Sequence, residues 1–340
     1  MARPLLMRCG AFGDMVLITV LIEQLHARFG APVDVITSGS WGRPLLAPRR
    51  GVGDILVLKS RRKPYWLDLE QQRLVRQLRE RGPGPTWYCD GGGHGRALLT
   101  RAGITDDLVC DVRDLPWLPG EHTAERWLRM AALTPPALQP PPPPPPPRAA
   151  NARLELTAQE FATCNAWLAQ RNLAGRTLVA FQAGNKRTMR GLIRRRASNT
   201  KYWPEARWGE VIRAVRAALP DAALLLLGVP EEFALNADIA AAARVSGLHN
   251  VADDLPIPVL LPLLARCHSL ITVDTGPAHA AVALGCPTVA LFGAADPRRF
   301  RPGGASTPAL VLTGEVAGKP DILGIEPAEV IAAWRQARAR

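Results

Sequence analysis

Short apolar runs alternate along this chain with longer stretches in which apolar residues recur every three or four positions. In the first half the runs fall at 5–9, 33–37, 55–58, 87–89 and 109–112, with helical spacing over 15–29 and 67–80. In the second half runs at 178–181, 223–227, 270–273, 287–292 and 310–312 alternate with helical stretches at 205–219, 231–243, 258–267, 276–284 and 326–338. Runs of three to six residues read as buried strands, and the longer periodic stretches as helices. Strands that alternate with helices predict parallel sheets. The expected fold class is α/β, with two Rossmann-like domains facing a cleft.

The two series are separated by eight consecutive prolines at 140–147, preceded by Pro135-Pro136. Such a run joins neither a helix nor a central strand. It forms a polyproline II rod of roughly 25 Å at about 3.1 Å per residue. The expected boundaries are therefore 1–134, a semi-rigid linker at 135–148, and 149–340, the last helix being able to pack back on the N-terminal domain.

Composition narrows the class. Six cysteines are scattered without a Cys-x-x-Cys pair, a pattern of buried free thiols in a reducing cytoplasm rather than a zinc site. No apolar run approaches the roughly 20 residues that span a bilayer, and the N-terminus lacks the apolar core of a signal peptide. The net charge of +12 is uneven: Lys186, Arg187, Arg190, Arg194, Arg195, Arg196 and Lys201 place seven cations in sixteen residues without an acid. Such a field attracts nucleic acid, anionic lipid headgroups or an acidic substrate, unless it is only a solvated loop.

The most informative segment is 270–293. A buried strand stops at Asp274-Thr275-Gly276, Pro277 suits the first helical turn, and a small apolar helix follows until Gly285. A helix start at the carboxyl edge of a parallel sheet offers free N–H groups and a positive dipole end to an anion. Asp274, Thr275, Gly276 and His279 are expected on that rim, beside a phosphorylated ligand. Asp-Thr-Gly also serves aspartic proteases, but those pair two carboxylates, and the triplet occurs once in this chain.

Three further constellations carry candidate chemistry. Arg8-Cys9-Gly10-Ala11-Phe12-Gly13-Asp14 follows the first strand, but its Gly-x-x-Gly-Asp spacing is not the dinucleotide fingerprint. Asp14 either accepts a proton from an attacking hydroxyl or caps the helix. Lys201 precedes the helix begun by Trp203-Pro204 and could reach a diphosphate as a point charge; Trp203 and Trp208 read as packing residues. Glu231 and Glu232, after Gly228, could hydrogen-bond ribose hydroxyls or stand as plain helix-start acids.

Taken together, Gly10-x-x-Gly13-Asp14, Lys201-x-Trp203-Pro204, Gly228 with Glu232, and Val273-Asp274-Thr275-Gly276-x-x-His279 resemble glycosyltransferase family 9, the lipopolysaccharide heptosyltransferases. The resemblance implies a GT-B fold, with an acceptor-binding N-terminal domain and the nucleotide-sugar on the C-terminal domain. It also implies an inverting, metal-independent reaction with no cofactor, most simply heptose transfer from ADP-heptose to a lipopolysaccharide core or related glycan. In those terms Asp14 is the base. Lys201, Glu232, Asp274, Thr275, Gly276 and His279 hold the donor, with Glu231 as the alternative acid. Gly13, Arg187, Arg190, Arg194, Arg195 and Arg196 are assigned to an anionic lipid-linked acceptor. The expected protein is a cytoplasmic monomer, peripheral on the inner face of the inner membrane, with an anionic membrane surface and not nucleic acid as partner. Two rivals are a catalytically silent nucleotide-sugar binder of the same fold and a nucleic-acid-binding protein that uses the Arg-rich loop. The proline linker and the long basic loop are departures from a minimal member.

Overall fold

Two parallel sheets organise the computed structural model, which describes residues 3–59, 63–185 and 199–338. The chain forms two units, Met1–Arg153 with Gly304–Ser306, and Leu154–Gly303 with Thr307–Arg340. In the first unit the strands are β1 (Leu5–Met7), β2 (Val33–Thr37), β3 (Val52–Val57), β4 (Thr86–Tyr88) and β5 (Val109–Asp111), in the order β3-β2-β1-β4-β5. Leu5 of β1 aligns with Asp34 on one side and Thr86 on the other. Every residue of β1, β2 and β4 is buried, as expected for strands covered by helices on both faces. The order reverses between β1 and β4, which leaves a crevice beyond their carboxyl ends.

The second unit holds β6 (Leu178–Gln182), β7 (Ala223–Leu226), β8 (Leu248–Asn250), β9 (Ser269–Val273), β10 (Thr288–Phe292) and β11 (Leu310–Thr313), ordered β11-β10-β9-β6-β7-β8. Its switch point lies between β6 and β9, where Gln182 aligns with Thr272. Helices Glu205–Ala218 and Phe233–Ala243 approach closely because Gly209 has no Cβ; one there would sit 2.9 Å from the Ala242 backbone. Trp203 and Trp208 are indeed packing residues, edge-on at 5.1 Å inside the core of this unit.

One expectation changes. The helix read over 15–29 is two helices, Phe12–Leu17 and Thr19–Phe29. Thr19 Oγ1 donates to the Val16 carbonyl at 2.7 Å, and such hydroxyl back-bonding bends helices. The closing helix Pro327–Arg338 packs on the sheet of its own unit. Its Trp334 is fully buried and donates from Nε1 to Ser269 Oγ on β9 at 2.8 Å.

The proline run packs on the first unit. Arg28, buried on the helix Thr19–Phe29, donates from Nε to the Pro143 carbonyl at 2.9 Å. The same guanidinium donates to the Ala131 and Leu133 carbonyls at 2.8 and 2.7 Å. Gln24 reaches the Pro146 carbonyl at 3.0 Å, and Arg148 pairs with Glu23. Pro142, Pro145 and Arg148 are partly buried with exposed pairs between them. That is the three-residue period of polyproline II, whose carbonyls have no partner within the rod.

Candidate active site

Asp14 stands at the switch point of the first sheet. β1 ends at Met7, the chain turns through Gly10, and the helix Phe12–Leu17 carries Asp14 at its third position. Oδ2 accepts the Ala11 N–H at 3.0 Å, and Oδ1 accepts Arg8 Nη2 at 3.0 Å. The first of these bonds is a helix cap, so Asp14 does serve the capping role. An ionised carboxylate has about four acceptor positions, and the side chain remains about one-third exposed (35%). Gly13 is buried within the same helical turn.

Arg8 is the residue that the motif reading passed over. Its Nη1 donates to the Cys89 carbonyl at 2.8 Å at the end of β4, while Asp90 lies 3.7 Å away and accepts the Cys9 N–H at 3.0 Å. Burial disfavours the guanidinium charge, but the carboxylates of Asp14 and Asp90 outweigh it and hold the Arg8 pKa above its ordinary value. The signal was a cation immediately after an all-apolar strand.

At the switch point of the second sheet, Lys201 and Asp274 are joined. Lys201 Nζ lies 2.5 Å from Asp274 Oδ2 and 2.9 Å from the Asp274 carbonyl. Asp274 is buried while the lysine side chain is partly exposed. Asn199 Oδ1 accepts the Lys201 N–H at 3.1 Å. The Thr200 carbonyl comes so close to Gly293, at the end of β10, that a Cβ there would stand 2.1 Å from it. Only glycine lets the lysine loop lie against this sheet edge.

The helix Gly276–Ala283 starts directly after the pair, with Pro277 in its first turn and no side-chain cap from Thr275. The Thr275 hydroxyl lies 3.0 Å from Thr272 Oγ1 instead. The first-turn N–H groups are thus not capped by the residue placed to do so, and the helix dipole favours an anion at that end. His279 is buried and its Nδ1 accepts the Gly303 N–H at 3.3 Å, so a neutral ring carries its proton on Nε2.

Glu232 follows β7, so it and Asp274 flank the carboxyl end of β6 between them. Its Oε2 accepts Gln182 Nε2 at 3.1 Å and the Val229 N–H at 3.2 Å. Gly184 and Gly228 make room for it, since a Cβ would lie 2.4 Å from Glu232 Oε1 at the first and 2.8 Å from Oε2 at the second. Burial pushes the carboxyl up to about 7, partly offset by the bonds from Gln182 and Val229. Glu231 beside it is exposed. Gln182 is a second residue the motifs did not mark, the polar end of an otherwise apolar strand. Arg187, Arg190, Arg194, Arg195 and Arg196 lie outside the described residues. Among the described residues no group of three or more His, Cys, Asp or Glu is placed to hold a metal ion.

Two units, each a parallel sheet with polar side chains gathered at its switch point, are the arrangement of the GT-B fold. The sequence profile of glycosyltransferase family 9 (heptosyltransferase) matches residues 118–319, and the chain belongs to that family. In structure it is similar to E. coli ADP-heptose lps heptosyltransferase II, with 21% identity, a TM-score of 0.74 and coverage of 99% of this chain and 98% of that one. A glycosyl transferase family 9 structure from Veillonella parvula gives 15% identity and a TM-score of 0.76 over 99% and 97%. E. coli heptosyltransferase WaaC with ADP gives 16% and 0.70 over 98% and 99%. No curated protein matches the chain in sequence.

Proposed function

We propose that this glycosyltransferase moves a heptose from ADP-heptose to a lipopolysaccharide core or related glycan, with inversion at the anomeric carbon and without a metal. The observation that carries this reading is the Lys201–Asp274 pair set directly before the uncapped start of the helix Gly276–Ala283. A diphosphate leaving group needs positive charge placed before the bond breaks. The ammonium, with three donors of which two are used by Asp274, has one left for a phosphate oxygen. The helix N-terminus supplies N–H groups to the same anion. Glu232 takes the ribose hydroxyls. His279 acts through the 303 loop that its imidazole holds.

Asp14 accepts the proton of the acceptor hydroxyl as that oxygen attacks the anomeric carbon. The bond from that carbon to the diphosphate breaks with its electron pair, ADP departs, and the proton ends on the carboxylate. Arg8 holds one Asp14 oxygen and orients the carboxylate. The donor reading is supported by the similarity to E. coli ADP-heptose lps heptosyltransferase II and to E. coli WaaC with ADP-2-deoxy-2-fluoro heptose. The seven-cation run at 186–201 supports an anionic, lipid-linked acceptor and a peripheral, cytoplasmic-face location through its charge.

A thermal-shift panel of ADP-, UDP-, GDP- and dTDP-sugars in EDTA tests the donor, because a ligand of the folded state raises stability by mass action. The expected result is a selective shift with ADP-heptose. An equal or larger shift with another nucleotide overturns the donor assignment. Selective binding without transfer to any heptose-deficient core would favour the silent binder.

A further inference from the structure

We infer that the turn at Tyr65–Leu67 and the first turn of the helix Leu69–Arg81 form a tip that docks on an anionic bilayer surface. Trp66, Leu67 and Leu69 are 73%, 58% and 78% exposed, the three most exposed large apolar side chains among the described residues, and they lie within four positions. Isolated exposed apolar residues need no explanation, whereas a contiguous set does. The helix buries Leu74, Val75 and Leu78 against β1 and the helix Gly93–Arg101, and so turns its opposite side outward. That outer side continues from Leu69 through Arg73 and Arg76 at helical spacing, all exposed, and Lys63 is exposed on the other flank.

Both acids beside the tip accept backbone N–H groups, Asp68 buried and Glu70 partly buried. The buried Asp68 carboxylate accepts the Glu70 and Gln71 N–H groups at 3.0 and 3.2 Å, and Glu70 accepts the Lys59 N–H at 3.3 Å. The tip thus presents one tryptophan and two leucines flanked by the exposed Lys63, Arg73 and Arg76. Three side chains are too few for a stable protein interface of about 800 Å² per partner. They suit the headgroup boundary, where an indole ring and aliphatic side chains enter while lysine and arginine meet anionic lipid. The tip lies in the connection that leaves the carboxyl end of β3, the same edge of the sheet at which Asp14 follows β1. A lipid-linked acceptor would thus reach the base from the side on which the protein rests. This part of the argument rests on the acceptor reading above; the lipid binding itself does not.

The test is flotation of the full chain with vesicles of phosphatidylcholine alone or with phosphatidylglycerol. The triple variant Trp66→Ser, Leu67→Ser, Leu69→Ser is compared with Arg73→Gln, Arg76→Gln and with wild type. Wild type should float with the anionic vesicles only. The apolar triple should lose partition by about tenfold or more, and the charge variant should lose it most at low salt. Transfer to a delipidated, soluble acceptor fragment should stay within about twofold of wild type in both variants. Flotation of the apolar triple equal to wild type would overturn the inference. So would a wild-type dimer in sedimentation that the triple converts to monomer. Absence of transfer by wild type would count against the functional reading and leave the vesicle result standing.

Discussion

The guanidinium of Arg8 lies 3.0 Å from one oxygen of Asp14 while its other nitrogen is bonded to the Cys89 carbonyl, so the end of β4 sets where the carboxylate points. Asp14→Asn is expected to lower kcat by two orders of magnitude or more, the usual worth of a general base, with donor affinity unchanged. Steady-state transfer and donor titration check it. A variant that keeps more than about a tenth of wild-type turnover would leave Asp14 with its capping role, worth about 1 kcal/mol of stability.

Arg8→Lys should retain more activity than Arg8→Ala. Lysine can meet the Asp14 oxygen or the Cys89 carbonyl, but its single nitrogen lacks the planar fork that reaches both. The loss should appear in kcat, with donor Kd unmoved. Wild-type activity in Arg8→Lys would mean that the fork geometry is irrelevant, and loss equal to that of Arg8→Ala would contradict the expected order.

Lys201→Ala should weaken ADP-sugar binding by about ten- to a hundredfold, in the range of one or two charge-assisted hydrogen bonds. Asp274→Asn leaves the backbone carbonyl bond to Nζ intact and should cost less than Lys201→Ala. EDTA should leave wild-type activity unchanged. Activity lost to EDTA and restored by Mg²⁺ or Mn²⁺ would sink the metal-free proposal.

Glu232 predicts a pH dependence of known sign. Burial pushes its carboxyl from 4.5 to about 7. The native state therefore keeps a proton that the unfolded chain releases in that window. Stability should fall as pH rises from about 4.5 through about 7 and stay lower above it, by up to about 3 kcal/mol. Urea unfolding of wild type and Glu232→Gln across that range reads the effect, and the variant should lack this part of the slope. The same variant should flatten any gain in ADP-sugar affinity between about pH 6 and pH 8, because ribose hydroxyls donate best to the ionised carboxylate. Identical pH profiles in both proteins would contradict the assignment.

Neutralising Arg194, Arg195 and Arg196 together should raise KM for an anionic acceptor, at about 1 kcal/mol per cation lost near a lipid surface, and leave ADP-sugar affinity intact. Loss of donor binding would instead assign the run to the nucleotide site. No change in either would make it a solvated surface.

Local pattern settled much of this protein. The α/β class and most strand and helix positions follow from periodicity, because a buried parallel strand must be apolar on both faces and its crossover helix on one. β2 at Val33–Thr37 and the helix Glu205–Ala218 fall within a residue of where the pattern puts them. Asp14, Glu232 and Asp274 were legible as candidates because a polar residue follows an apolar run where a strand meets a helix, and Lys201 because it stands just before a helix. The half-buried edge strand Leu248–Asn250 was not, since its three mixed residues carry no period.

Tertiary structure decided what those residues meet. Lys201 and Asp274 are 73 positions apart, and Arg8 reaches Cys89 across 81. Such pairings depend on strand order, and the order β3-β2-β1-β4-β5 is set by how twisted crossovers pack rather than by any single segment. The proline run shows the same division. Its composition dictates a rod with unpaired carbonyls, but only the fold could place buried Arg28 against Pro143 and make that rod part of the first unit.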